Sequence, residues 1–317
     1  MEAIVFGNIT LDVICKPVDD VPRRDSLAFE DVVVAPGGCG SNVAIGLSAS
    51  GISTALVGRI GDDDAAYLVK RYWRKVGLET RYVRRVKGLP TGTSVGLIDR
   101  DCQPRFVHTS GANKTLNPNV LNIVKFVRQG ARHLHIGGFF VLPGLMQGNL
   151  NEKLQQAHQQ GIFTSLDVVR SVRMSDTSLL WACMPHLDVF LCNHTEASRL
   201  SGESDPVQAA RLLHSKGAGA VIVKLGGEGC LLYSTDGIEH IPGIQPGRVI
   251  DTTGAGDAFA AGLIASRLKG KGMADACRDA NRVGARAVER LGAISCWFEE
   301  SSLTDLGPGS HCHIPEC

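Results

Sequence analysis

The chain has 317 residues, 44% of them apolar, with 33 Lys and Arg against 32 Asp and Glu. That apolar content fills a large core, as one big α/β domain or two smaller ones, and excludes a chain disordered as a whole, which would be polar and strongly charged. A formal charge of +1 leaves no general electrostatic footprint for nucleic acid or an anionic membrane.

No run approaches the roughly 20 apolar residues of a bilayer span. The most apolar stretch, residues 136–146, is too short and contains Pro143. The opening MEAIVFGNITLD lacks a basic region and a long apolar one, so it does not read as a signal peptide, and the expected location is the cytoplasm. Ten cysteines form no CxxC pair and read most simply as reduced, mostly buried thiols. His311, Cys312, His313 and Cys317 carry donors for a soft metal, but residues 301–317 read first as a disordered end.

In chain order, AIVFG (3–7) predicts a first strand. Residues 11–34 then hold short strand-like pieces (LDVICKP, LAFEDVVV) without a helix. A helix pattern from Gly40 to Ser50, a strand at 54–60 and a helix from Asp63 to Val76 lead to a second helix-free stretch, 80–110, with TSVGLID and RFVHT. Further helix patterns cover Asn119 to Gln129, Leu145 to Gln160 and Val207 to Lys216. They alternate with apolar strands at 132–138, 162–169, 188–193 and 220–225. Residues 249–270 run from a strand through a glycine-rich turn into an apolar helix, and Met273 to Leu291 predicts another. The repeated β–α order predicts a mainly parallel sheet sandwiched by helices in one main domain. Residues 11–34 and 80–110 predict a small antiparallel sheet projecting from it, which is a lid, a dimerisation element or a plain surface meander.

The richest stretch chemically is Asp251-Thr252-Thr253-Gly254-Ala255-Gly256-Asp257. Two glycines allow a tight turn, and the helix that follows aims unpaired N–H groups and its dipole at that turn, a site for phosphate or a developing anion. Asp257 at the helix start is a favoured terminal residue in any case. In an anion hole, however, its carboxylate can accept a proton from a hydroxyl while the amides hold a phosphoryl group. A second cluster, Gly37-Gly38-Cys39-Gly40-Ser41-Asn42, leads into a helix; either a ligand close to the backbone or a mere loop explains its glycines. Asn42 adds a donor and an acceptor suited to a polyol. Asp12 follows the first strand, at the end where open α/β sheets bind ligands.

In this order, these segments resemble the PfkB or ribokinase-like family of carbohydrate kinases, over about residues 1–300. The N-terminal signature matches at Gly37-Gly38-x-x-x-Asn42-x-Ala44 and the C-terminal one at Asp251-Thr252-x-Gly254-Ala255-Gly256-Asp257-x-x-x-Ala261-Gly262. The resemblance implies a ribokinase-like α/β fold: a Rossmann-like, mainly parallel central sheet flanked by helices, with a small β-sheet lid over the sugar. It implies Asp257 as catalytic base, Gly254, Ala255 and Gly256 as anion hole, and Asp12, Gly37, Gly38 and Asn42 as the acceptor pocket. Asn193 and Glu196 match an NxxE motif linked to Mg2+ and phosphate, although a strand end with a helix-capping turn also accounts for them. Lys224, Gly226 and Gly229 match the nucleotide-side turn, and Asn281 lies where members contact adenine. Asp251 and the Thr253 carbonyl lie where many members bind a monovalent cation such as K+.

Two departures concern specificity. Where many sugar kinases of the family carry D-x-N-x-R, this chain has Asp167-Val168-Val169-Arg170, with Val169 in place of Asn. The lid segment 106–113 is closer to ribokinase than to phosphosugar kinases, with Arg105 beside it as a candidate phosphate contact or a solubilising side chain. The resemblance therefore implies ATP- and Mg2+-dependent phosphorylation of a primary hydroxyl on a small sugar or sugar-like acceptor, with a homodimer through the lid as an option. A nucleoside kinase of the same family is the near alternative. A non-catalytic member and a nicotinamide-dependent oxidoreductase stand further off, the latter because no GxGxxG follows an early strand; nor is there a GxxxxGK[ST] loop.

Overall fold

The computed structural model describes residues 1–298. The tail residues 301–317, with the donors His311, Cys312, His313 and Cys317, lie outside the described residues. The strands are β1 (Ala3–Gly7), β2 (Thr10–Lys16), β3 (Asp31–Gly37), β4 (Thr54–Ile60), β5 (Val83–Arg85), β6 (Gly92–Ile98) and β7 (Pro104–Thr109). They continue with β8 (His133–Gly137), β9 (Phe163–Asp167), β10 (Val189–Asn193), β11 (Ala220–Lys224), β12 (Gly229–Ser234) and β13 (Gly237–Pro242).

Nine strands form the central sheet in the order β13-β12-β11-β10-β9-β8-β1-β4-β5, parallel throughout except for the antiparallel β12 and β13. Because side chains alternate along a strand, β1 sends Ala3 and Val5 into one core and Ile4 and Phe6 into the other. β10 does the same with Val189 and Leu191 against Phe190 and Cys192. Two apolar layers of helices thus explain the continuous apolar runs of these strands. From β1 the chain winds outward to β4 and β5, then returns to β8 on the other flank. The carboxyl ends of β1, β8, β9, β10 and β11 meet around this reversal, the usual place for a ligand crevice.

The second sheet has the order β3-β2-β6-β7 and is mixed rather than antiparallel as predicted: the β2–β3 and β6–β7 pairs are antiparallel, but β2 and β6, which lie far apart in the chain, pair in parallel. Its register aligns Asp12 with Ser94 and Ser94 with His108, a polar row that lines a cavity. One residue along, Val34, Val13, Val95 and Val107 form a row on the opposite face. Period-two alternation therefore gives this sheet a polar underside facing the cavity and a valine-rich back.

Several predicted boundaries change. Residues 80–90 are not in the small sheet: β5 pairs with β4 at the edge of the large one. Residues 249–251 are not a strand; the amides of Ile250 and Asp251 donate instead to the Val288 carbonyl (2.7 and 3.2 Å), which also marks where the last long helix stops, at Ala287 rather than Leu291. The pattern over 119–129 yields a short 3-10 turn, Pro118–Val120, and a helix, Ile123–Arg128, capped by Asn122, whose Oδ1 accepts from the Lys125 amide. Pro143 and Gly148 likewise cut the 145–160 pattern into a 3-10 turn and the helix Leu150–Gln159. The β12–β13 hairpin has no counterpart among the predicted elements. Five of the eight described cysteines are buried and all eight are free thiols. No helix among the described residues is long and apolar enough to cross a membrane.

Beneath the crevice, His133 Nε2 and His135 Nδ1 each lie 2.8 Å from Ser165 Oγ. Burial pushes both rings down, His133 well below its ordinary 6.5 and His135 to about 3, with His135 also repelled by Lys224. Unfolded, each ring takes a proton near 6.5, so below that pH the unfolded chain binds more protons and stability falls. A His133→Gln/His135→Asn variant removes both groups. Its unfolding free energy in urea should drop less steeply with acid, by up to about 2.7 kcal/mol per pH unit below about pH 6.

Candidate active site

The helix Ala255–Leu268 starts at Gly254, whose φ of 75° no branched side chain adopts comfortably and whose missing Cβ would collide with Ala293. Among the described residues, the amides of Gly256 and Asp257 meet no acceptor outside the helix. They open toward a cavity of about 650 Å³ between the two sheets. Asp257, in the first turn, faces this cavity, and its Oδ2 accepts from Asn42 Nδ2 at 2.8 Å. Burial pushes the Asp257 carboxyl above its ordinary value, against the pull of Asn42, Lys224 and the Cys39 thiol.

Across the cavity, Thr10 Oγ1 donates to Asp12 Oδ1 at 2.6 Å. Burial raises Asp12 to about 7, opposed by that hydrogen bond and assisted by Asp257. Any side chain at position 37 would strike the Asp12 carboxylate, so Gly37 is there to admit Asp12. Gly38 and Asn42 line the cavity beside them. Asn42 Oδ1, Asp167 Oδ1 and Thr253 Oγ1 are buried without a partner among the described residues. All three belong to cavity-lining residues, and buried polar atoms seek partners, so the site offers acceptors to an incoming hydroxyl donor.

The sequence alone leaves Asp167 undecided and places Lys224 only on the nucleotide side; the structure joins them. Lys224 Nζ donates to Asp167 Oδ2 at 2.6 Å, with side-chain exposures of 13% and 6%. Parallel pairing of β9, β10 and β11 brings the two strand ends together, and no spacing in the sequence encodes that order. Burial raises Asp167 to about 7, against the attraction of Lys224. Burial works against the Lys224 ammonium, but Asp167, Glu196 and Asp257 outweigh it and hold the ammonium above its ordinary range. A Cβ on Gly256 would sit 3.1 Å from Lys224 Nζ, so the ammonium lies directly against the glycine turn.

Asn193 and Glu196 form a capping box on the helix His194–Ser201: Asn193 Oδ1 accepts from the Glu196 amide (2.9 Å) and Glu196 Oε2 from the Asn193 amide (2.8 Å). Glu196 Oε1 also accepts from the Arg170 amide at 3.0 Å. The capping turn is therefore present, and both residues line the cavity as well. Burial raises Glu196 too, against Lys224. Three carboxylates, Asp167, Glu196 and Asp257, thus share one enclosed ammonium, an imbalance that favours a further cation. No three His, Cys, Asp or Glu side chains among the described residues are clustered to hold a metal by themselves.

The remaining predicted residues sit further off. Asp251 is fully buried, its Oδ1 accepting from the Thr253 amide (2.8 Å) and its Oδ2 from the Gly292 amide (2.9 Å). Gly226, Gly229 and Asn281 do not line the cavity. Gly226 opens the 3-10 turn after β11, and Asn281 Nδ2 donates to the Ile241 and Pro242 carbonyls, tying the helix Met273–Ala287 to the β13 edge. Arg105 donates to the Val18 and Asp19 carbonyls and lines the cavity rim. Asn113 is a positioning residue that the sequence does not flag. Its amide group bonds both the N–H (2.9 Å) and the carbonyl (2.7 Å) of Ile9, between β1 and β2, a contact 104 residues apart in the chain.

The chain is similar to known proteins along nearly its whole length. Residues 2–300 match the pattern of the pfkB family carbohydrate kinases. An Arabidopsis thaliana ribokinase is 26% identical over 314 residues (96% of this chain, 80% of that one), and an ATP-dependent ribose-1-phosphate kinase from Halopiger xanaduensis is 29% identical over 291 residues (91% and 92%). Among solved structures, a Sinorhizobium meliloti adenosine kinase superposes with a TM-score of 0.82 at 21% identity, covering 92% of this chain and 95% of that one. This last likeness shows the ribokinase-like fold. With the match spanning 2–300, the chain belongs to the pfkB family of carbohydrate kinases.

Proposed function

We propose that this chain transfers the γ-phosphoryl group of ATP to a primary hydroxyl of a small sugar or sugar-like acceptor, with Asp257 as general base. The observation that carries the reading is the Asn42-anchored Asp257 carboxylate at the mouth of an amide-lined turn, facing a cavity with unpaired hydroxyl acceptors.

The acceptor lies between Asp12, Asn42 and Asp257. Its reacting hydroxyl gives its proton to Asp257 as the oxygen–phosphorus bond forms, the bond from γ-phosphorus to the bridging oxygen breaks, and ADP leaves. The amides of Gly256 and Asp257 and the Lys224 ammonium hold charge on the transferring group, where fixed donors act most strongly; the Ala255 amide is spent on the Thr252 carbonyl. The excess of carboxylates suits Mg2+ entering with the nucleotide; Glu196 and Asn193 would face it, and it would supply charge for the β- and γ-phosphates. Asp251 and the Thr253 carbonyl are the proposed monovalent-cation site, and the valine-rich back of the lid suits pairing with a second copy. Phe106, the phenyl ring on the cavity wall, keeps a nucleoside as the second reading, since a base can stack on it.

ADP release with Mg2+ and K+ present tests this, across ribose, fructose, 2-keto-3-deoxygluconate, fructose 6-phosphate, inosine and adenosine. One acceptor should raise release well above the ATP-only background. A nucleoside winning the panel would favour the second reading, and failure to bind ATP at all would sink both. Asp12→Asn should chiefly weaken acceptor binding, raising KM by about 10- to 100-fold with a smaller change in kcat, because a hydrogen bond to a charged group is worth about 1.5–3 kcal/mol.

A further inference from the structure

The segment 249–253, which leads into the catalytic turn, is fastened to the lid on one side and to the core on the other. On the core side its amides meet Val288, and the Asp251 carboxylate accepts from the amides of Thr253 and Gly292. On the lid side, Lys16 Nζ donates to the Ile250 carbonyl and to Cys102 Sγ, the latter at 3.2 Å. Cys102 Sγ approaches the Val249 carbonyl at 3.5 Å, and the Cys102 carbonyl accepts from Thr252 Oγ1 at 3.3 Å.

Cys102 sits in the β6–β7 turn with a φ of 61°, the one positive value outside glycine among the described residues. That turn is pinned by Cys102 N to the Asp99 carbonyl (3.1 Å) and by Gln103 N to Asp99 Oδ1 (2.8 Å). Lys16 ends β2, four residues beyond Asp12 and on the same face of the strand, because side chains repeat every second residue. One rigid strand thus carries the acceptor-reading carboxylate near its start and the Ile250 contact at its end. A second cavity, of about 590 Å³, opens beside Lys16, Cys102 and Ile250, so these contacts are accessible to solvent.

We propose that Lys16 and Cys102 are positioning residues that latch the lid to the phosphoryl-transfer turn. Through them, the lid position that Asp12 senses sets the geometry of Gly254 to Asp257. The inference rests on the proposed role of Asp257, and the latch makes a specific demand of Lys16. Its ammonium supplies two donors at once, to Cys102 and Ile250, from a strand that otherwise contacts the acceptor. Loss of those donors leaves the 249–253 segment held on its lid side only by the Thr252 hydroxyl and the Cys102 thiol, while its core-side bonds persist. The turn is then misplaced by a small amount, and misplacement of about 1 Å is enough to slow a reaction about a hundredfold.

Hydrogen exchange and steady-state kinetics on Lys16→Met, Lys16→Arg and Cys102→Ala test the latch in the full-length protein. Lys16→Met should speed amide exchange in peptides covering 249–257 by about tenfold or more, with β8 to β10 unchanged. With the most active acceptor of the six, it should lower kcat by about 10- to 100-fold while acceptor KM stays within about threefold. Lys16→Arg, which keeps the charged donors, should restore both readouts, and Cys102→Ala should shift both in the same direction by less. Unchanged exchange over 249–257 in Lys16→Met overturns the latch. So does faster exchange spread evenly over the central sheet, or failure of arginine to restore the turn. If Asp257→Asn kept its activity, the proposed base would fall, but the exchange result would still decide the latch.

Discussion

Asp257→Asn is expected to lower kcat for acceptor-dependent ADP release by about a thousandfold, within the 10²–10⁴ that a positioned general base supplies. KM values should change little, because Asn is nearly the shape of Asp and the Asn42 amide still has an oxygen to meet. The amides of the turn and the Lys224 ammonium remain, so the variant should retain catalysis above the uncatalysed rate. The pH profile is the sharper test. Burial holds Asp257 above its ordinary 3.8, and Asp12 and Asp167 stand at about 7, so one proton can be shared among nearby carboxylates as the pH falls. A base must be ionised to accept the hydroxyl proton. Wild-type kcat/KM should therefore fall on the acid side at a pH above the usual carboxylate range, and the residual activity of Asp257→Asn should lose that dependence in part. Near-normal turnover in Asp257→Asn with the true acceptor would remove Asp257 from the mechanism.

Residues whose chemistry is local are legible in the sequence. Asp257, Gly254 and Gly256 lie within one tight turn, and the glycine pair at 37 and 38 lies next to Asn42 on one helix entry. Asn42 and Asp257, 215 residues apart, then meet at 2.8 Å, a contact that the two signatures imply but cannot locate. What is illegible depends on strand order. Asp167 and Lys224 pair only because β9, β10 and β11 are consecutive in the sheet, and Asn113 bridges to Ile9 only because the lid folds back on β1. The shifted boundaries have the same origin. Residues 249–251 carry a strand-like composition, but their amides are consumed by the end of a helix, so tertiary hydrogen bonding overrides local propensity. β5 resembles part of the lid because its flanking turns match, whereas its pairing with β4 is a long-range choice.

Lys224→Met should produce two separable losses. The first is stability. Lys224 and Asp167 are almost fully enclosed, and removing one partner of a buried ion pair costs about 3–5 kcal/mol when the other charge is left alone. Asp167 can escape part of that cost by taking a proton. Its carboxyl is already raised to about 7 with the ammonium present, and without it would rise further. The unfolded carboxyl keeps its ordinary 3.8, so between that value and the raised one the folded chain binds more protons, and stability falls as pH rises. The Lys224→Met variant should therefore be visibly less stable at alkaline than at mildly acid pH, by up to about 1.4 kcal/mol per pH unit, in urea denaturation. Pairing it with Asp167→Asn removes the stranded charge and should recover most of the loss. The second loss is catalytic and should not recover. With no ammonium against the Gly256 turn, charge building on the transferring phosphoryl group meets only backbone donors, and kcat/KM for ATP should fall by about 10²–10³, as when a fixed donor is removed from an anion hole. A double variant that regained both stability and turnover would show that Lys224 serves the fold alone; one that regained stability while staying slow would place the ammonium on the reacting phosphate.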